Sequence, residues 1–495
     1  MRRSAVVVIV VAAAAVAALA GAGLAGLPLA ERYLAHCIKT EIAQAGSISV
    51  GEVDVELLDR RLILHDVRSV QVAGISAARW EASGLAWPMG EWLHGRSPLA
   101  GLRLGDPFRA DHLVIDDLRL SLADGQAWKV ASIAMDGLDL ARFDGDVPLG
   151  PTQAVALGAR MAGALSLARL EERDVVYTLP GGQGTLRFAD LVVEDVDHGK
   201  LGVLAFTDIA AAAPLTGETT FSVASFKAKD IDLRRPLEAL AEPSWRPGTP
   251  IGRIAFGEAG ATGFGGAFLE SYGLSLGSVA LQTTRDGEVR HSTSRIEGFV
   301  LAPPSGPQGL QTRIVMSAMG LKELRLSLQC SGTEDRAKGE LAVDRCALVG
   351  PDLGEFDLSA RLVDADANLW RAIDSGDVRS LYGTQAALGA ASLTIADNGL
   401  LDRSLRALSS VNAQTPDATR ANLAREIRRY QPPGVLITDD LTRILDTLAR
   451  FVEQGGTLTV ESRPDPPFVL AKAGTLQAAG ADLVGLLGLS ARLSK

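Results

Sequence analysis

One phrase recurs along most of this chain and limits what it can become: a short apolar run alternating with polar residues, an Asp or Gly, then another such run. Leu113 to Ile115, Asp116-Asp117 and Leu118 to Leu122 make one instance. Ile133-Ala134-Met135-Asp136-Gly137-Leu138-Asp139-Leu140, Leu191-Val192-Val193-Glu194-Asp195-Val196 and Phe226-Lys227-Ala228-Lys229-Asp230-Ile231-Asp232-Leu233 repeat it. Alternation with period two marks a strand with one buried face, and the Asp and Gly residues read as breaks between short strands. Ala123-Asp124-Gly125, Pro180-Gly181-Gly182 and Arg285-Asp286-Gly287 read as turns. The spacing is irregular, so the repeat is structural and not a strict sequence period. The expectation over 47–363 is a long antiparallel meander with one apolar face, which must roll up, pair or be covered.

The chain begins differently. Arg2 and Arg3 precede Ala5 to Ala30, a run with no charged residue. At ~1.5 Å per residue it is long enough for a ~30 Å hydrocarbon layer. Residues 1–30 therefore read as a single-pass transmembrane anchor. A signal peptide stays open as the alternative, although an apolar core of ~7–15 residues is usual there. Either reading exports the body, because the arginines favour a cytoplasmic N-terminus. Residues 31–46 carry Leu34, Ile38 and Ile42 at helical spacing, with Gly46 as the stop.

Helices are expected at Pro151 to Leu170 and Leu237 to Leu240 within the β region. After Asp364 the pattern shifts, and 364–495 reads as a mixed α/β unit. Ala367 to Leu388 and Leu400 to Val411 show helical spacing. Thr415-Pro416-Asp417 and Thr438-Asp439-Asp440 place cap residues before two more helices. A strand at Thr457 to Glu461 and a small helix near Asp482 to Leu487 close the chain. The fold class expected is mainly β with α: an N-terminal transmembrane helix, an elongated curved antiparallel sheet and the mixed unit.

Little in the sequence points to chemistry. A net charge of −10, with Lys and Arg interspersed among acids, offers no field for nucleic acid. Gly273-Leu274-Ser275-Leu276-Gly277 matches a nucleophile elbow, but strand alternation follows where a helix is required. The six histidines show no metal-ligand spacing. Gly181-Gly182-Gln183-Gly184 lacks the Lys of a phosphate loop. No catalytic residue, cofactor or metal site is assigned, and the chain is read as a non-enzyme. Cys330 and Cys346 fall on consecutive predicted strands around Thr333 to Lys338. In an oxidising compartment they bridge if the turn centres near Lys338; free thiols remain the alternative.

The arginine-flanked run, the helix Tyr33 to Gln44, Ile48-Ser49-Val50-Gly51-Glu52-Val53-Asp54-Val55 and Leu62-Ile63-Leu64-His65-Asp66-Val67 resemble the opening of the AsmA-like family of bacterial envelope proteins. The Asp-interrupted strands are similar to that family's repeats. The resemblance implies a curved sheet with an apolar groove in the periplasm, associated with lipid transport or outer-membrane homeostasis. Its expected partners are the inner membrane, phospholipid and envelope proteins. The alternative is a non-catalytic scaffold whose sheet closes on itself.

Overall fold

The computed structural model describes residues 27–70, 74–85, 105–121, 125–145, 151–375, 383–432, 435–472 and 482–495, less residues 45, 47, 215, 243, 247, 250 and 305. Most of the expected anchor lies outside these residues. Among the described residues no helix is long and apolar enough to cross a membrane. Residues 27–44 form one helix, α1, so the expected boundary at residue 30 falls inside a continuous element. The chain is mainly β with helices, and its strand pairings are antiparallel. It divides into two compact units: residues to Gly217 with Asp232–Thr249, and Glu218–Ile231 with Pro250–Lys495.

In the first unit β1 (Ile48–Ser49) and β2 (Glu52–Glu56) both pair with β3 (Arg61–Ser69). Beyond it β4 (Ile75–Ser83), β5 (Phe108–Ser121), β6 (Ala127–Leu140), β7 (Leu165–Thr178), β8 (Thr185–Asp197) and β9 (Lys200–Ala212) each pair with the next. Helix α1 lays Leu34, Ile38 and Ile42 over Val53, Val55, Leu62 and Leu64. Fully burying each such aliphatic side chain stabilises by about 1.5–3 kcal/mol. Helix α2 (Pro151–Ala164) is followed directly by β7, so the helix expected to reach Leu170 stops earlier. Pairing of β7 along β6 and β8 outweighs the weak helical period there. Helix α3 (Arg234–Ala241) meets α2 where Arg160 Nη2 donates to the Ala241 carbonyl at 3.4 Å.

The Asp phrases are not breaks between short strands, which corrects the sequence reading. They lie inside long strands. The packed residues of β5 are Phe108, Ala110, Leu113, Ile115 and Leu118, with steps of two and three alternating. On β6 Val130, Ile133, Met135 and Leu138 keep the same rhythm. Each step of three inserts one residue, and the neighbouring strand inserts one at the same level. Register is therefore kept, and the apolar face resumes beyond the insertion.

The insertions line up. From β3 to β9 the register places Asp66, Ala78, Asp117, Ala131, Asp174, Ala189 and Asp208 side by side. The four aspartates have φ of 49–51°. A second line runs Gly84, Asp111, Gly137, Ala168, Asp195 and Gly202, with Gly84, Gly137 and Asp195 left-handed. Left-handed backbone favours Gly and, among other residues, Asp and Asn. Most of the residues facing them are Ala or Gly for a spatial reason. A Cβ on Gly202 would stand 2.8 Å from the Asp195 Cβ, and one on Gly51 2.9 Å from Asp66 Oδ2.

The second unit continues the device. Left-handed Asp230 faces Gly257, and left-handed Gly263 and Gly298 flank Gly277. Its strands β10 (Thr219–Asp232), β11 (Glu258–Gly265), β12 (Leu274–Asp286), β13 (Val289–Leu301), β14 (Leu324–Asp335), β15 (Glu340–Gly350), β16 (Gly354–Val363) and β17 (Ala387–Asp397) pair in order. Then β17 bonds both β18 (Thr457–Ser462) and β19 (Phe468–Val469), and β18 bonds β20 (Leu489–Ser494).

Among its helices, α4 (Ala267–Ser271) precedes β12, and α5 (Leu310–Ala318) precedes β14. Helix α6 (Ala367–Ser375) is shorter than the helix expected to Leu388; Ala387 onward is strand, paired along β16. Helices α7 (Leu400–Asn412), α8 (Pro416–Arg429), α9 (Asp439–Gln454) and α10 (Leu483–Leu487) follow the expected positions. Thr415 and Thr438 cap α8 and α9 as their sequences require.

Candidate functional site: an apolar sheet face with a buried arginine

Register decides which side chains of the second unit share a row. Leu281, Ser294, Cys330, Cys346, Leu358, Leu393 and Val460 stand side by side on successive strands. Three of these are large apolar residues with considerable exposure: Leu281 at 37%, Leu358 at 44% and Leu393 at 37%. The neighbouring row holds Ser292, Gly332, Val343 and Ala360, with Val343 38% exposed. A single exposed leucine means nothing, but a registered strip of them is an uncovered face.

The strip runs into a concavity of about 470 Å³ lined by Phe256, Leu281, Leu341, Val343 and Ile373 with the two cysteines. Helix α6 closes one side. It packs Leu369 and Trp370 against Leu341 and Leu362, and Ile373 joins them. Cys330 and Cys346, for which the sequence leaves both a bridge and free thiols open, are register partners with their sulfurs at bonding distance. The turn occupies residues 336–339, close to where pairing requires it.

One end of the concavity is charged. Arg290 on β13 stands opposite Glu334 on β14, both within the same row as Leu341. Glu334 Oε1 accepts from Arg336 Nε at 2.6 Å. Arg336 also forks onto Asp374 of α6 at 2.7 and 3.1 Å, and its guanidinium lies 5.1 Å from the Trp370 ring centre. Glu334 Oε2 is left with distant neighbours, Arg253 Nη1 at 3.5 Å and Arg290 Nη1 at 4.0 Å. Burial, and then the nearby Arg253, hold the Arg290 guanidinium below its ordinary pKa.

A comparable feature occurs among the described residues of the first unit. Register sets Ile115, Ile133, Glu172 and Leu191 in one row, so a carboxylate sits where the row is otherwise apolar. Glu172 Oε2 is buried without a partner, and burial raises its pKa.

The remaining sequence candidates lie elsewhere. Ser275 is paired with Val300 inside β12, with the helix before it and none after. His65 meets Asp54 at 3.1 Å, His112 meets Asp136 at 2.6 Å and His198 meets Ser166 at 2.8 Å. Among the described residues no three metal-ligating side chains converge. Sequence reading missed Arg290, Glu334 and Arg253. Arg290 precedes a run of polar residues to Ser294, and polar alternation carries no sign of which face is inward.

A family described as "Uncharacterized protein" matches residues 347–493, from within β15 to the last strand. No curated protein matches the chain.

Proposed function

We propose that this chain is a non-catalytic, membrane-anchored protein of the bacterial envelope that binds or transfers lipid along an apolar sheet face in the periplasm. The registered strip of exposed Leu281, Leu358 and Leu393, opening into the concavity beside Cys330 and Cys346, carries the proposal. Water against such a strip is unfavourable by roughly 25 cal/mol per Å², and an acyl chain removes it without requiring polar partners. The apolar run Ala5 to Ala30, read as a membrane anchor, supports a lipid ligand, and the resemblance to the AsmA-like family points the same way.

Native mass spectrometry and lipid extraction of the full chain, purified in detergent from its membrane fraction, test this reading. Co-purifying acyl lipid is the expected result. A chain free of lipid, and inert toward added phospholipid, overturns it.

A second reading, an interaction scaffold in envelope assembly, draws on α5. Leu310, Ile314 and Val315 on that helix are each more than half exposed. A charge introduced by Ile314→Glu, with lipid binding retained and envelope partners lost in a pull-down, favours the scaffold.

A further inference from the structure

The end of the concavity has donors in excess of acceptors. Arg253, Arg290 and Arg336 face Glu334 and Asp374, and Arg285 stands opposite Arg290 across the β12–β13 pair. Arg336 takes up both carboxylates at hydrogen-bonding distance. Arg290 does not share in this: its side chain is nine-tenths buried, its Nε is buried with no partner, and Glu334 is 4.0 Å from its Nη1. A guanidinium has five N–H donors, and leaving buried ones unmade is costly. Among the described residues nothing accepts from the Arg290 Nε.

We infer that Arg290, assisted by Arg253, receives the anionic oxygen of an amphiphile whose acyl chain lies against Leu281, Val343 and Ile373. The inference rests on the reading of this face as a lipid site and adds the head group to it. Two features argue for an amphiphile over a small free anion. The guanidinium donors converge at one end, while Phe256, Leu281, Leu341, Val343 and Ile373 supply apolar surface along the rest, interspersed with serine and threonine side chains. The volume of about 470 Å³ also suits a ligand of some length, within the ~300–1,000 Å³ of small-molecule sites. Charge sets the preference: a carboxylate or a phosphate supplies a charged acceptor, whose hydrogen bonds are about twice as strong as those to the neutral oxygens of an uncharged head.

The probes are oleate, a lysophosphatidate and uncharged monoolein, titrated against the full chain in non-ionic detergent. Both anionic probes are expected to bind at least about tenfold more tightly than monoolein, a difference on the scale of one charge-assisted hydrogen bond. Oleate alone showing the preference assigns a carboxylate, and the lysophosphatidate alone assigns a phosphate; either supports the site. Arg290→Met is expected to erase the preference, and a preference retained by that folded variant overturns the assignment. Equal binding of all three probes by the native chain overturns the head-group assignment while the lipid reading stands. No binding of any probe sinks both. Should Arg290→Met fail to fold, Arg253→Gln decides, since that side chain is 38% exposed. A selectivity ratio unmoved by Arg253→Gln overturns the assignment, and a reduced ratio supports it.

Discussion

At the scale of single residues, a left-handed Asp or Gly on one strand with a small residue opposite it is the chain's characteristic device. Asp195 shows it fully: φ is 54°, and its side chain folds over Gly202. Asp195→Ala should cost up to about 1 kcal/mol, because Ala lacks the short polar side chain that eases left-handed backbone, whereas Asp195→Gly should cost less. Gly202→Val should be worse than either, because its Cβ meets Asp195 at 2.8 Å. Chemical denaturation of the three variants ranks them, and equal midpoints would discard the steric account.

Glu172 gives a pH-dependent case. Burial raises its folded pKa above the unfolded value, so its contribution is fully favourable below the ordinary carboxylate range and is lost as pH rises through the folded pKa. Glu172→Gln should therefore stabilise at pH 7, by no more than about 1 kcal/mol given partial exposure. The gain should vanish below pH ~4, and thermal melts at both pH values check it.

At the scale of elements, caps and pairing dominate. Thr438 Oγ1 accepts from the Leu441 N–H at 3.2 Å at the start of α9, and Thr438→Ala should cost about 1 kcal/mol. Ile38 of α1 is fully buried against β3 and β4, and Ile38→Ala should cost about 2–5 kcal/mol in urea unfolding. The β14–β15 hairpin carries the register pair Cys330 and Cys346, 16 residues apart. Alkylation of denatured, unreduced protein should label Cys37 alone, and all three cysteines after reduction. Reduction should then lower stability by about 3 kcal/mol on the loop-entropy account.

For the molecule as a whole, the boundary at Asp364 matters less than the sequence suggests. The strands do not end there: β16 is paired along its length with β17, from Gly354 opposite Asp397 to Val363 opposite Ala387. Truncation after Val363 should leave β16 as an unpaired edge that aggregates. A monodisperse truncated chain with an unchanged melting temperature would argue that the second unit does not depend on its last strands. The same pairing carries the apolar row from Leu358 to Leu393 and Val460, so the candidate site draws on both sides of that boundary.

Much of this was legible in the amino-acid sequence. Period-two alternation identified strands, Leu34, Ile38 and Ile42 identified the buried stripe of α1, and Thr415 and Thr438 marked helix starts. Those signals are local, depending only on backbone preference and on side chains a few residues apart. The tertiary structure decided the rest. Asp117 reads as a break until a strand on each side holds its register, and Ala387 and Leu388 read as the end of a helix until β16 pairs with them. Arg290 is one polar residue among many until β14, the Arg253 loop and α6 enclose it with too few acceptors. Each of these outcomes comes from residues distant in sequence meeting across strands, and no single stretch of chain contains that meeting.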